Sequence, residues 1–205
     1  MVWLDVDRDI VVKHGLDSAA IGQLHRETEL LAAAGRLVGL SVPAGKATPT
    51  GSEFAHVRGV TLGRWLWGAR RKPRRDLWEQ ALAVAVQLDR GAAGSTHPDF
   101  TVENLLVGRR RALTLIDWKE EQAADEGLPV ALASLVASAI GYRSVDVDGR
   151  WQQLLALSPA LSRHCGPGLA AAVRDREILS LRGIGGGVRD RLADLIAAEV
   201  SPSGQ

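Results

Sequence analysis

The order of apolar and polar positions divides the chain into a strand-rich first third and a helical last third. Val2, Leu4 and Val6 alternate with other residues, and the denser run Ile10-Val11-Val12 follows an acidic turn. That pattern predicts two strands closed by His14 and Gly15. Asp17 or Ser18 then offers an N-cap, and Ile21, Leu24, Thr28 and Leu31 recur at helical spacing. A helix is expected over 18–34, with Gly35 as its stop. Short strands are expected from Leu37 to Val42 and from Ser52 to Val57. Asp76 starts a second helix, with Leu77, Ala81, Val84 and Leu88 along one face and Gly91 and Gly94 beyond it. Leu105–Val107 and Leu113–Ile116 flank the turn Gly108-Arg-Arg-Arg111 and read as a hairpin. Helices are expected over 129–140, 150–157, 166–181 and 188–199, with a frayed tail from Ser201.

Strands first and helices later imply an α+β architecture. The length of 205 residues suits one large domain or two small lobes sharing a cleft, with enough core to need no staples. A net charge of +1 gives no overall field to recruit nucleic acid or a membrane. The single cysteine, Cys165, excludes a disulfide scaffold and a multi-thiolate zinc site, and fits a cytoplasmic protein. No apolar run approaches the ~20 residues that span a bilayer. The acidic start of the chain lacks the apolar segment of a signal peptide. Gly183-Ile-Gly-Gly-Gly187 lacks the third glycine of a dinucleotide fingerprint and follows no strand, so it reads as a helix break.

Candidate chemistry concentrates in His97-Pro-Asp99-Phe-Thr-Val-Glu-Asn104, with Asp117 thirteen residues further on at a strand end. This H-x-D-x4-N pattern followed by an Asp resembles the catalytic loop and metal-binding Asp of the protein-kinase-like fold. The Pro between His and Asp, and Asp-Trp in place of Asp-Phe-Gly, are similar to the aminoglycoside phosphotransferase and choline kinase branch. Val11-Val12-Lys13 resembles the lysine strand, Arg26-Glu27-Thr-Glu29 the helix of its glutamate partner, and Val57-Arg-Gly59 the hinge. Gly127-Leu-Pro129 resembles the segment after the metal Asp, so the likeness covers about residues 1–140.

The resemblance implies a two-lobed fold with a reduced N-terminal β lobe over 1–58 and a mainly helical C-terminal lobe over 59–205 that carries the catalytic loop and hairpin. It implies ATP or another NTP with Mg2+ as cofactors. Asp99 would take or orient the proton of the attacking hydroxyl, and His97 would brace the loop. Asn104 and Asp117 are the oxygen ligands expected for Mg2+. Lys13 would contact phosphates, held by Glu27, with Glu29 as the other candidate.

Three departures shape the expectation. No glycine-rich turn precedes Lys13, and Asp5-Val-Asp7-Arg-Asp9 is acidic where phosphate would need amides. The resemblance is therefore to an N-terminally truncated member, whose nucleotide lobe a partner protein or a second copy would complete. Only nine residues separate Asp117 from Gly127, and Pro98 stands before Asp99; both point to a small-molecule or modified-peptide substrate rather than a regulated protein kinase. Val130-Ala-Leu132 replaces an acid that braces the catalytic loop in relatives. Two functions follow: a phosphotransferase acting on a hydroxyl, or a degenerate kinase-like module that holds a peptide or protein. Four acids within 119–126, the basic loop Arg70–Arg75, and Trp65, Trp67 and Trp78 around that loop are candidate substrate-binding features or plain surface and core.

Overall fold

The computed structural model describes residues 1–38, 40–68, 75–91, 100–109, 112–117, 128–143, 146–175 and 184–199. The chain is mixed α+β and forms two compact units. One comprises Met1–Leu62 and Asn104–Glu120, the other Gly63–Glu103 and Glu121–Gln205.

The first unit begins with β1 (Val2–Asp5) and β2 (Ile10–His14), antiparallel, with Trp3 opposite Val12 and Asp5 opposite Ile10. In the acidic turn between them the Arg8 amide donates to Asp5 Oδ1 at 3.1 Å, and Asp9 takes φ +50°. Helix α1 (Ser18–Val38) follows, then β3 (Gly45–Thr48) and β4 (Gly51–Ala55). The four strands form one antiparallel sheet in the order β1-β2-β4-β3. Gly51 lets β2 and β4 close. It has φ +154°, and a Cβ there would lie 2.0 Å from the Lys13 carbonyl oxygen. A second sheet orders β5 (Gly59–Thr61), β6 (Leu105–Gly108) and β7 (Leu113–Leu115), all antiparallel.

The expected hairpin is β6 and β7. Its pairing with β5 joins 104–120 to the first unit, so the compact units do not follow a division at residue 58. Among the described residues of 37–42 there is no strand: α1 runs through Gly35 to Val38, and Ser41 makes one isolated bridge to Thr114. Ala32-Ala33-Ala34 carries the helix across the glycine at a propensity cost of about 1 kcal/mol. Pro43 and the polar Gly-Lys-Ala-Thr run concealed β3, and β5 occupies what reads as a hinge.

The second unit is helical. It contains α2 (Leu62–Trp67, whose first residue closes the first unit), α3 (Arg75–Gly91), α4 (Val130–Gly141), α5 (Val147–Leu157), a 3-10 turn at Leu161–His164, α6 (Pro167–Arg174) and α7 (Gly186–Glu199). Helix α4 is its centre. Val130 through Ile140 contain no charged residue and are all buried, packed against α3 and α6. A helix apolar all round must lie inside other structure. Its N-terminus has no cap of its own. Asp89 of α3 supplies one, its carboxylate accepting from the Ala131 and Leu132 amides at 2.8 and 3.0 Å. Helix α5 starts three residues earlier than its periodicity suggests because Asp146 caps it by accepting from the Gly149 amide at 2.9 Å. The second half of the helix expected over 166–181 lies outside the described residues beyond Asp175. Among the described residues no helix is long and apolar enough to cross a membrane.

Candidate functional site

Lys13 is the hub of the first unit's polar chemistry. It lies on β2, and its Nζ donates to Glu27 Oε1 at 2.5 Å and to Asp117 Oδ1 at 2.6 Å. The Phe54 ring lies beneath it, 5.4 Å from Nζ to the centroid. Glu27 comes from α1 and is 7% exposed, whereas Glu29 is exposed. The geometry therefore chooses Glu27 as the lysine's partner.

Local structure explains how residues 104 positions apart meet. Lys13 and Ser52 are opposite one another in the β2–β4 register. Ser52 is fully buried; its hydroxyl donates to the Leu24 carbonyl at 2.9 Å and lies 3.0 Å from the Thr28 hydroxyl. His25 Nε2 lies 2.9 Å from the Thr48 carbonyl oxygen. These contacts pin α1 across β3 and β4, which brings Glu27 over Lys13. Asp117 reaches the same point from the hairpin. The Ile116 amide donates to the Asn104 carbonyl at 2.8 Å, and the Asn104 amide nitrogen donates to the Asp117 carbonyl at 3.1 Å. Asp117 has φ +57°, a left-handed conformation that few non-glycine residues other than Asn and Asp adopt readily.

Burial acts first on the Lys13 ammonium and lowers its pKa, but the charges and hydrogen bonds of Glu27 and Asp117 outweigh it and hold the net value above 10.5. Burial pushes the Glu27 carboxyl up against the opposing pull of Lys13. The group is a half-buried cation clamped by two acids, fixed by hydrogen bonds on the helix side and the hairpin side.

Asn104 and Asp117 are the residues that could hold a divalent cation. Both offer hard oxygen donors, and a hydrogen bond links them directly. Such a pair suits Mg2+, which keeps several of its own waters and needs few protein ligands. Among the described residues there is no cluster of three or more His, Cys, Asp or Glu arranged for a metal. Lys13 would be the cation available to a phosphate.

His97 and Asp99 lie outside the described residues, as do the acidic stretch 119–126 and Arg70 to Arg74. Arg75 opens α3 and pairs with Glu79 at 2.7 Å. The tryptophans beside the basic loop belong to the second unit's packing: Trp65 and Trp78 are buried. Trp67 donates its Nε1 to the Ala139 carbonyl at 2.9 Å beneath the Arg150 guanidinium, 4.2 Å from its ring. Cys165 is half-buried, and burial pushes its thiol up to about 12, which disfavours the reactive thiolate.

Sequence reasoning missed Ser52, Thr28 and Phe54, whose roles depend on strand register. It also missed Asp89, a carboxylate in the last turn of α3 where a helix dipole disfavours it. That misplaced charge was the available signal of an outside partner. No family model matches the chain, and no curated protein matches it.

Proposed function

We propose that this chain is an ATP- and Mg2+-dependent phosphotransferase with a two-lobed kinase-like fold, similar to the aminoglycoside phosphotransferase and choline kinase branch. It would act on a hydroxyl of a small molecule, an aminoglycoside-like natural product or a modified peptide. The observation that carries the reading is the clamp of Lys13 between Glu27 and Asp117 at 2.5 and 2.6 Å. Strand lysine, helix glutamate and post-hairpin aspartate are the residue types the sequence resemblance requires, converging on one point.

In this reading Lys13 exchanges its Asp117 contact for nucleotide phosphate and keeps Glu27 as its anchor. Asn104 and Asp117 would hold Mg2+, which would supply neutralisation of the phosphate charge. The acceptor oxygen attacks the γ-phosphorus and its proton passes toward Asp99. The bond between the γ-phosphorus and the bridging oxygen breaks, and ADP leaves. The short segment after Asp117 supports a small molecule or modified peptide as acceptor over the substrate of a regulated protein kinase.

The test is thermal unfolding with ATP and Mg2+, followed by turnover against a panel of hydroxylated amines and peptides. A ligand that binds only the folded state raises the midpoint. Asp99→Ala should abolish turnover with the nucleotide shift retained, and Lys13→Met should reduce the shift. No shift at millimolar Mg-ATP, with the protein folded, refutes the reading.

A second reading, a kinase-like module that binds a peptide or protein without transfer, has its own support. The Asp5–Asp9 turn is acidic, and its Arg8 side chain is engaged by Glu53. Saturable nucleotide binding without turnover, unaffected by Asp99→Ala, would favour it.

A further inference from the structure

The two edges of the four-stranded sheet are built differently. Strand β3 is a protected edge: its sequence is Gly-Lys-Ala-Thr, and Lys46 is exposed and paired with Glu53 at 3.0 Å. Strand β1 is apolar and exposed over three of its four residues, with Asp5 at its end as its only charge. Val2 is 64% exposed, Trp3 43% and Leu4 44%, with Val6 at 76% just beyond. Among the described residues β1 pairs with β2 alone. Natural edge strands are shielded by charges, prolines or bulges because an open apolar edge templates another strand. We infer that the outer edge of β1, unpaired among the described residues, is a strand-addition site for an extended segment of a partner protein that carries apolar residues next to lysine or arginine. This inference does not depend on the phosphotransferase reading.

The register states what the segment must look like. Val2 and Leu4 lie on one face of the sheet, while Trp3 and Asp5 lie on the other, opposite Val12 and Ile10. An added strand continues both faces, so three successive positions meet apolar neighbours and the fourth meets Asp5. Charge makes that fourth position basic. Arg8 is drawn away by a two-point contact with Glu53 at 3.2 and 2.8 Å. Asp9 is matched by His56 and Arg58 at 2.9 and 3.3 Å. Asp5 accepts from the Arg8 amide and has a charged group no nearer than the Arg8 guanidinium at 3.8 Å, and Asp7 is exposed without an ion pair among the described residues. The end of the edge therefore presents net negative charge. Charge argues against a second copy as the occupant, because its own β1 carries no lysine or arginine to meet the acidic end of this edge. A single extended segment instead draws on main-chain hydrogen bonds with Trp3 as the anchor.

The experiment uses the full chain and three short capped peptides: a run of three valines flanked by lysine at each end, the same run flanked by glutamate, and the lysine peptide N-methylated at alternate amides. Amide chemical shifts and hydrogen exchange of residues 2–7 are the readout. The lysine peptide should shift these amides saturably and protect them from exchange. The glutamate and N-methylated peptides should do neither. Asp5→Asn with Asp7→Asn should weaken the lysine peptide by roughly tenfold, and more weakly at high salt. Trp3→Lys should abolish binding with the melting curve retained; if that variant does not fold, the N-methylated peptide on the unaltered protein decides the same question. Equal binding of all three peptides, or no binding of the lysine peptide at millimolar concentration, overturns the proposal. So does a concentration-dependent dimer in sedimentation that Trp3→Lys disperses, since the occupant would then be a second copy.

Discussion

The two units solve opposite problems. The helical unit buries an apolar helix, α4, whose only polar side chains are Ser134 and Ser138; Ser138 is used, accepting from the Val102 amide at 3.1 Å and donating to the Leu135 carbonyl at 3.1 Å. The strand-rich unit instead spends its centre on a charge, with Lys13, Glu27, Ser52 and Thr28 where apolar side chains would pack more favourably. Half-buried ion pairs rarely stabilise more than the hydrophobic residues that could replace them. Uninterrupted apolar burial marks the helical unit, and the charged contacts of Lys13 mark the strand-rich one.

The largest expected effect is in the helical unit. Trp151→Ala on α5 removes a side chain that is 1% exposed, and should cost about 3–5 kcal/mol by chemical denaturation. A loss below about 1 kcal/mol would show that the helical core does not carry the stability assigned to it.

The clamp should respond less, and with a pH signature that a hydrophobic core lacks. Lys13→Met leaves the Glu27 carboxylate buried without its ammonium and should cost about 1–3 kcal/mol at neutral pH, discounted because Asp117 is partly in water. Glu27 has a raised pKa, so below the ordinary 4.5 it binds its proton in both states and the folded form has no unpaired charge. The deficit should therefore shrink as pH falls. In the unaltered protein Lys13 has a raised pKa, so its contribution is complete below 10.5 and fades as pH rises through the folded value. Lys13→Met should abolish that alkaline component. A deficit independent of pH would break the comparison.

Asp89→Ala should cost about 1–2 kcal/mol, because two α4 amides lose their acceptor and no residue of α4 replaces it. Asp89→Asn should recover part of that loss. The smallest effect concerns Cys165. With its thiol pushed to about 12 by burial, it should react with a disulfide reagent at pH 8 far more slowly in the folded chain than in denaturant. Rates equal within a factor of two would show that the helical unit opens locally around it.

The elements legible in the sequence were those with a strong local pattern of apolar residues. β1 and β2, the amphipathic face of α1, α3 and the apolar run of α4 all follow from it, although the apolar residues of β1 are exposed. β3 and β5 did not, because a short polar edge strand and a three-residue strand gain their stability from partners distant in the chain. The site divides in the same way. Residue type marked Lys13, Glu27, Asn104 and Asp117, since a charge at a strand end or an amide in a turn is visible alone. That Lys13 touches Asp117 depends on β5–β6–β7 pairing and on the Ser41–Thr114 bridge, neither of which local spacing encodes. The same holds for Asp89, whose cap is made on a helix forty residues away.

Position 117 carries two demands of separate origin. Its carboxylate meets Lys13, while its backbone sits at φ +57°, where a β-branched side chain is strained. Aspartate is among the few residues that satisfy both, asparagine satisfies the second alone, and glutamate keeps the charge but loses the backbone preference. A comparison of asparagine with alanine at this position would therefore separate the electrical contribution of the residue from its conformational one, a division that the alanine substitution by itself conflates.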